Sequence, residues 1–225
     1  MIPPFPVYLF DVDGTLVDSA SDICGAIQDV LSTTSQNCVE DAFLRRYIGR
    51  HLLDLFQDLL PEYTASQIDD LIASYRRIYP LRNHSMTSVY PGVKEALAGL
   101  GGRKSTATTK GTPTTRTVLE LFGLLPYFDH VQGTDGFPAK PEPDVIYAAL
   151  KGLGASREDC LFVGDSAADM EAGKRAGVKT CAVLYGYGER DDLAKWEPDY
   201  WISDPRELIS RDRSASAKPT RIARP

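Results

Sequence analysis

The chain is short of basic residues relative to acidic ones, with 25 Lys and Arg against 31 Asp and Glu and a formal net charge of -6. Together with an isoelectric point near 5.1, this argues against nucleic acid or an anionic membrane as the main partner, because both reward a basic surface. If the substrate is anionic, a local site must overcome the global field. Cysteine is scarce: Cys24, Cys38, Cys160 and Cys181 show no CxxC spacing and no zinc-ligand pattern. They fall in stretches that otherwise read as helix or strand, so reduced and mostly buried thiols are expected. The opening MIPPFPVYLFDVDG has no basic n-region and only a short apolar run before its first acid. Neither a signal peptide nor a membrane span is expected, which leaves the cytoplasm. Of the few histidines, His84 and His130 have no evident partners, and polar surface or loop roles are expected for both. No internal repeat is visible.

What the chain does contain is enough apolar sequence, 43% of 225 residues, for one substantial core and a smaller second module. Val7 to Phe10 is a continuous apolar run ending in Asp11, as expected of a strand buried on both faces. Similar runs are Leu161-Phe162-Val163, ending in Gly164-Asp165, and Thr180 to Leu184, ending before Tyr185-Gly186. Ser105 to Thr109 is also strand-like. Helical periods lie between them, at Val93, Ala96, Leu97 and Leu100 and again at Val145, Ile146, Ala149, Leu150 and Leu153. The alternation predicts an α/β fold, a Rossmann-like doubly wound parallel sheet with helices on both faces.

Residues 20–88 break this rhythm with successive amphipathic helix patterns and no convincing strand. Ile23, Ala26, Ile27, Val30 and Leu31 share one face, as do Leu52, Leu55, Phe56 and Leu59, and then Ile68, Leu71, Ile72 and Tyr75. The division expected is a discontinuous α/β core over 1–19 and 89–209, a helical insert over 20–88, and a basic tail over 210–225. That tail has no apolar period and reads as disordered.

Asp11 and Asp13, in Asp11-Val12-Asp13-Gly14-Thr15-Leu16, stand at the carboxyl end of a buried strand, where open parallel sheets bind ligands. An isolated Asp-Gly is usually a turn. Here two acids follow the strand directly, and carboxylates this close repel unless a cation lies between them. A hard, oxygen-liganded ion such as magnesium fits. Asp165 and Asp169 form a second acidic cluster after a strand; taken alone it could be a helix cap, but the spacing lets both face the same strand end. Lys140, stiffened by Pro141 and Pro143, offers a countercharge, although a surface lysine is the ordinary alternative. Thr108-Thr109-Lys110-Gly111 presents hydroxyls and backbone amides before a helix, suited to phosphate oxygens, or else is an ordinary polar loop.

The segments DVDGTLVDS, STATTK, AKPEPD and GDSAADMEAGKRAG occur in the order of the four motifs of the haloacid dehalogenase superfamily, which the chain resembles over about residues 7–209. Tyr47-Ile48-Gly49 and Tyr185-Gly186-Tyr187-Gly188 resemble its phosphoglycolate phosphatase-like branch. The resemblance implies a helical cap inserted after the first motif and a magnesium-dependent phosphatase. Asp11 would be the nucleophile, and its carboxylate and the Asp13 backbone carbonyl would bind Mg2+. The Asp13 side chain would be the general acid and base, Thr108 would hydrogen-bond the phosphoryl group, and Lys140 would offset its charge. Asp165 would complete the metal shell, with Asp169 behind it. Thr109 departs from the Asn of many relatives at that place, where a backbone amide is the expected phosphate contact.

Within the superfamily, Asp13 speaks against halide displacement, and the absence of lysine from Ser21 to Val89 excludes an imine-forming phosphonate hydrolase. A hexose-phosphate mutase would carry Gly-Val-Ser-Arg in the cap, whereas Gly49 is followed by Arg50, His51 and Leu52. A silent binding module would be expected to have lost the acids. Arg45, Arg46 and Arg50 are the expected cap contacts to a substrate carboxylate such as that of 2-phosphoglycolate, with a solvated helix face as the alternative. Other small phosphorylated metabolites, among them sugar phosphates, nucleotides and pyrophosphate, stay open as substrates, as does the choice between monomer and homodimer.

Overall fold

The computed structural model describes residues 2–209, and the expectation for the basic tail therefore lies outside the described residues. Strand β1 (Val7–Phe10) is followed by the two-residue β2 (Val17–Asp18), then by helices α1 (Ala20–Leu31), α2 (Asp41–Arg45), α3 (Leu52–Leu59) and α4 (Ala65–Leu81). The chain returns through β3 (Ser88–Val89), α5 (Val93–Gly99), β4 (Arg103–Thr106) and α6 (Thr112–Leu121). It ends with α7 (Asp144–Leu153), β5 (Cys160–Gly164), α8 (Ala167–Ala176), β6 (Lys179–Val183), α9 (Arg190–Ala194) and β7 (Tyr200–Ile202).

Five of these strands make one parallel sheet in the order β4-β1-β5-β6-β7. Alternation along β1 splits its side chains between the two faces. Tyr8 and Phe10 pack with Val93 and Leu97 of α5 and Val118 and Leu119 of α6. Val7 and Leu9 pack with Val145, Ile146, Ala149 and Leu150 of α7 and with Ala172 and Ala176 of α8. Helices on both faces explain why the strands read as unbroken apolar runs. The fold class is the one expected.

Register places the site. Phe10 pairs with Thr106 on one side and Val163 on the other, so Asp11 and Ala107 leave the sheet together, beside Gly164, which ends β5 one residue later against Ala182. The Asp11 amide donates to Val163 O at 2.9 Å and the Ala107 amide to Phe10 O at 2.8 Å. Strand β4 stops at Thr106, earlier than the run to Thr109 predicts, because its partner β1 stops at Phe10. Thr108 and Thr109 are thereby freed to turn over the strand ends.

Helices α1, α3 and α4 build a separate apolar cluster from Ile23, Ile27, Leu31, Leu55, Phe56, Ile68 and Ile72, joined by Leu44 and Ile48. Helix α4 opens on a capping box between Thr64 and Gln67. At the neck, β2 and β3 pair antiparallel, Val17 with Val89 and Asp18 with Ser88. His84, for which a polar surface or loop role is expected, lies in the turn after α4 but is buried there, at a positive φ of 51° and with its ring edge-on to Tyr79. Cys24, Cys160 and Cys181 are buried free thiols, while Cys38 is exposed.

Candidate active site

Each acid at the strand ends is held by partners from other elements. The Lys140 ammonium, itself fully buried, donates to Asp11 Oδ1 at 2.7 Å, Asp169 Oδ1 at 2.5 Å and Ala107 O at 3.2 Å. Asp169 also stands in the first turn of α8: its Oδ2 accepts from the Ser166 amide at 2.9 Å and Oγ at 2.6 Å, closing a capping box. Both of its oxygens are therefore occupied, and it acts on the site through Lys140. Asp165 accepts from Thr15 Oγ1 at 3.0 Å and from the Tyr187 amide at 2.8 Å. Gly14, at φ 89°, allows this approach, since a Cβ there would fall 2.1 Å from Asp165 Oδ2.

Asp11 Oδ2 is buried and has no hydrogen-bond partner. Carboxylate oxygens of Asp11, Asp165 and Asp169 all lie within 4.8 Å of one another. Three carboxylates around one ammonium leave two negative charges uncompensated. Burial pushes the Asp11 carboxyl up to about 7, with Lys140 pulling it down and Asp169 adding to the rise. Burial likewise lifts Asp165 well above the carboxylate range, helped by Asp169 and Asp11. A compact all-oxygen donor set with an orphaned, desolvated carboxylate oxygen suits a hard divalent cation. Asp169 is the least suited of the three to ligate, because its oxygens are already taken.

Asp13 lies beside this cluster. Ser19 Oγ donates to its Oδ1 at 2.6 Å, and Lys110 Nζ is 3.2 Å from its Oδ2. Lys110 also donates to Tyr79 OH at 3.0 Å, and its Nζ stands 4.3 Å from the centre of that ring. Although burial opposes it, Asp13, Tyr79 and Tyr75 raise the Lys110 pKa above the lysine range. Thr108 is buried, accepting from the Lys110 amide at 3.3 Å. Thr109 Oγ1 donates across to Gly49 O of the helical insert at 2.9 Å.

Above the acids lies a cavity of about 770 Å³ between the sheet ends and helices α1, α3 and α4. Asp11, Asp13, Thr108, Thr109 and Lys110 form its floor, and Ile23, Ile27, Leu55, Ile72, Tyr75 and Tyr79 much of its far wall. Of the expected cap contacts, Arg50 reaches the lining, whereas Arg45 and Arg46 do not. Arg46 lies over the Phe43 ring, and Arg50 lies over Tyr47 while pairing with Asp54 at 3.4 Å. Arg76, which the sequence reading did not single out, also lines the cavity.

Two more residues, Tyr187 and Lys110, lie in segments singled out from the sequence but make contacts it did not show. The Tyr187 hydroxyl accepts from the Ser19 amide at 2.7 Å and the Ala20 amide at 3.0 Å and donates to Asp18 Oδ1 at 2.9 Å. It caps α1, whose own Ser19 hydroxyl is spent on Asp13. Lys110 was visible as part of a polar loop, but its target was not. A lysine directly after the strand-end hydroxyls of Thr108 and Thr109 was the available signal.

Comparison with known proteins fits this architecture. Residues 8–183 match the family model for haloacid dehalogenase-like hydrolases, and the chain belongs to that family. Among its relatives, a phosphoglycolate phosphatase from Aquifex aeolicus is 33% identical over 207 residues, covering 90% of this chain and 94% of the relative. The pyrophosphatase PpaX of Halalkalibacterium halodurans is 31% identical over 205 residues, covering 89% and 94%. A solved haloacid dehalogenase-like hydrolase from Bacteroides fragilis superposes with a TM-score of 0.86 at 28% identity, over 91% of this chain and all of the other. No helix among the described residues is long and apolar enough to cross a membrane.

Proposed function

We propose that the chain is a magnesium-dependent phosphatase that hydrolyses a small phosphate monoester through an aspartyl-phosphate on Asp11, with phosphoglycolate-like esters preferred. The carrying observation is Asp11 itself, with one oxygen fixed by Lys140, the other buried and unpartnered, and the carboxylates of Asp165 and Asp169 close by. Asp11, the backbone carbonyl of Asp13 and Asp165 would hold Mg2+, with Asp169 acting behind them through Lys140. The ion, when bound, offsets the charge of the phosphoryl oxygens and of the cluster.

Asp11 attacks phosphorus, and the ester oxygen departs with a proton from Asp13. Asp13 then takes a proton from the water that cleaves the acyl phosphate, which releases phosphate and restores both carboxyls. Thr108 and the backbone amides of its loop bind the phosphoryl oxygens, and Lys140 keeps Asp11 oriented. The helical insert acts as a lid: Thr109 meets Gly49 across the cavity mouth, where closure excludes water. A cavity of about 770 Å³ is within the range that holds drug-sized ligands, so the alcohol is not limited to two carbons.

A panel of phosphoglycolate, sugar phosphates, nucleotides and pyrophosphate, assayed with and without Mg2+, tests the reading. Expected are magnesium-dependent phosphate release and a trapped phosphoryl group on wild type but not on Asp11→Asn. Turnover in excess chelator, or release undiminished in Asp11→Asn, overturns it. Pyrophosphate is a second reading favoured by the cations at the cavity, Lys110, Arg50 and Arg76, and the same panel separates the two.

A further inference from the structure

Three cationic side chains of lysine or arginine line the cavity, and they differ sharply in setting. Arg76 is exposed, and Arg50 is both 45% exposed and engaged with Asp54 and Tyr47. Lys110 is withdrawn from water, its side chain only 9% exposed. A charge in such a place interacts far more strongly with a ligand than one in solvent. Its position is also fixed from both domains of the cavity. Core residue Asp13 holds Nζ from below, and the cap's Tyr79 holds it by hydroxyl and ring face, with Tyr75 stacked behind at 5.4 Å.

An ammonium has three N–H donors, and among the described residues Nζ donates to Tyr79 OH and is ion-paired with Asp13, with no other hydrogen-bond or ion-pair partner. One donor is left for a ligand. The direction follows from the chemistry proposed above. The leaving oxygen must come within hydrogen-bond reach of the Asp13 carboxyl, and Lys110 Nζ is 3.2 Å from that same carboxyl. The first atoms of the alcohol beyond the ester oxygen therefore pass beside the ammonium. Asp135, another carboxylate in the lining, does not compete, because both its oxygens accept from the Thr112 amide.

We propose that Lys110, steadied by Tyr79 of the cap, is the receptor for an acidic group on the alcohol close to the ester oxygen, so that the preferred substrates are monophosphates of hydroxy acids. The inference rests on the phosphatase reading above and moves the recognition of the substrate carboxylate from the cap arginines to the floor of the cavity.

The test compares two esters of equal length, phosphoglycolate and 2-hydroxyethyl phosphate, with Mg2+ present. Lys110→Met should lower kcat/KM for phosphoglycolate roughly 10- to 150-fold more than for 2-hydroxyethyl phosphate, the span expected for a lost charge-assisted hydrogen bond. Most of that difference should appear in KM. Tyr79→Phe, which keeps the ring and removes the hydroxyl, should shift the ratio in the same direction by less. Binding gives an independent readout in which no turnover occurs: Lys110→Met should weaken 3-phosphonopropionate but not propylphosphonate, by calorimetry. If Lys110→Met does not fold, Tyr79→Phe and the wild-type preference for 3-phosphonopropionate over propylphosphonate decide. Equal losses on both esters, or equal binding of both phosphonates, overturn the inference and leave the phosphatase reading intact. Wild-type protein inactive on every ester of the panel overturns that reading, and this inference with it.

Discussion

The floor and the roof of the cavity are built on opposite plans. Asp11 on the floor, and Lys140, Asp169 and Asp165 behind it, are each at most 2% exposed, and each is tied to partners far away in sequence. On the roof, apolar side chains such as Ile27, Leu55 and Ile72 face the cavity from an independent core, while the cap arginines lie on aromatic rings or pair with neighbours at the surface. A buried, mutually supporting polar network tolerates little change, because loss of any member leaves a desolvated charge. An apolar roof of similar volume can be repacked at modest cost. The groups proposed for the chemistry, and Lys110 beside them, therefore sit in the rigid half of the molecule, and the shape of the far wall is the adjustable half.

That contrast is broken most severely from below. Asp11→Asn should lower kcat by on the order of 10⁴-fold or more in a steady-state assay, while the circular dichroism spectrum is preserved, because an amide is not a competent nucleophile. Next comes Lys140→Met, which strands two buried carboxylates. Denaturant titration should show a loss of about 3–5 kcal/mol, the usual result of removing one partner from a buried ion pair.

The same network sets a pH dependence. In the folded metal-free protein Asp11 titrates at about 7, above its ordinary value of 3.8. The folded state thus binds more protons than the unfolded state between these limits, so stability falls as pH rises through that window, and the raised Asp165 adds in the same direction. Thermal melts of chelated protein from pH 4 to 8 should show this decline, and Mg2+ should flatten it. A melting temperature that rises over the window would contradict the assignment.

Much of the floor was legible because burial on both faces leaves unbroken apolar runs, and each run ends in the acid it positions: Phe10 in Asp11 and Gly164 in Asp165. Helices α1, α3 and α4 were legible from their periodicity. Strand β7 was not singled out, since Tyr200 and Trp201 at the sheet edge are only partly buried and imitate a loop. The two-residue strands β2 and β3 and the five-residue α2 are too short to show a period. Tyr187 and Lys110 were out of reach for another reason. Tyr187 meets Ser19 across 168 positions, and Lys110 meets Tyr79 only once the cap is seated. Contacts of that kind leave no local pattern.

Smaller effects probe the seam between floor and roof. Tyr187→Phe removes the acceptor for two helix amides and the donor to Asp18, and should cost about 1–2 kcal/mol in a denaturant melt. Arg45→Ala and Arg46→Ala should change phosphoglycolate kcat/KM by less than about threefold, because neither side chain lines the cavity. A loss above tenfold for either would mean that the roof, too, carries recognition by charge.

The pairing of β2 with β3 has one more consequence. Everything between Asp18 and Ser88 leaves and re-enters through a neck one antiparallel pair wide. From the viewpoint of the sheet, the whole insert is the tip of a hairpin. Closure entropy grows only logarithmically with the length of such a loop, and the neck would close in the same way around a longer or shorter tip. Selection can therefore exchange the roof wholesale, by insertion or recombination at two adjacent points, without disturbing the strand register that places Asp11 beside Asp165.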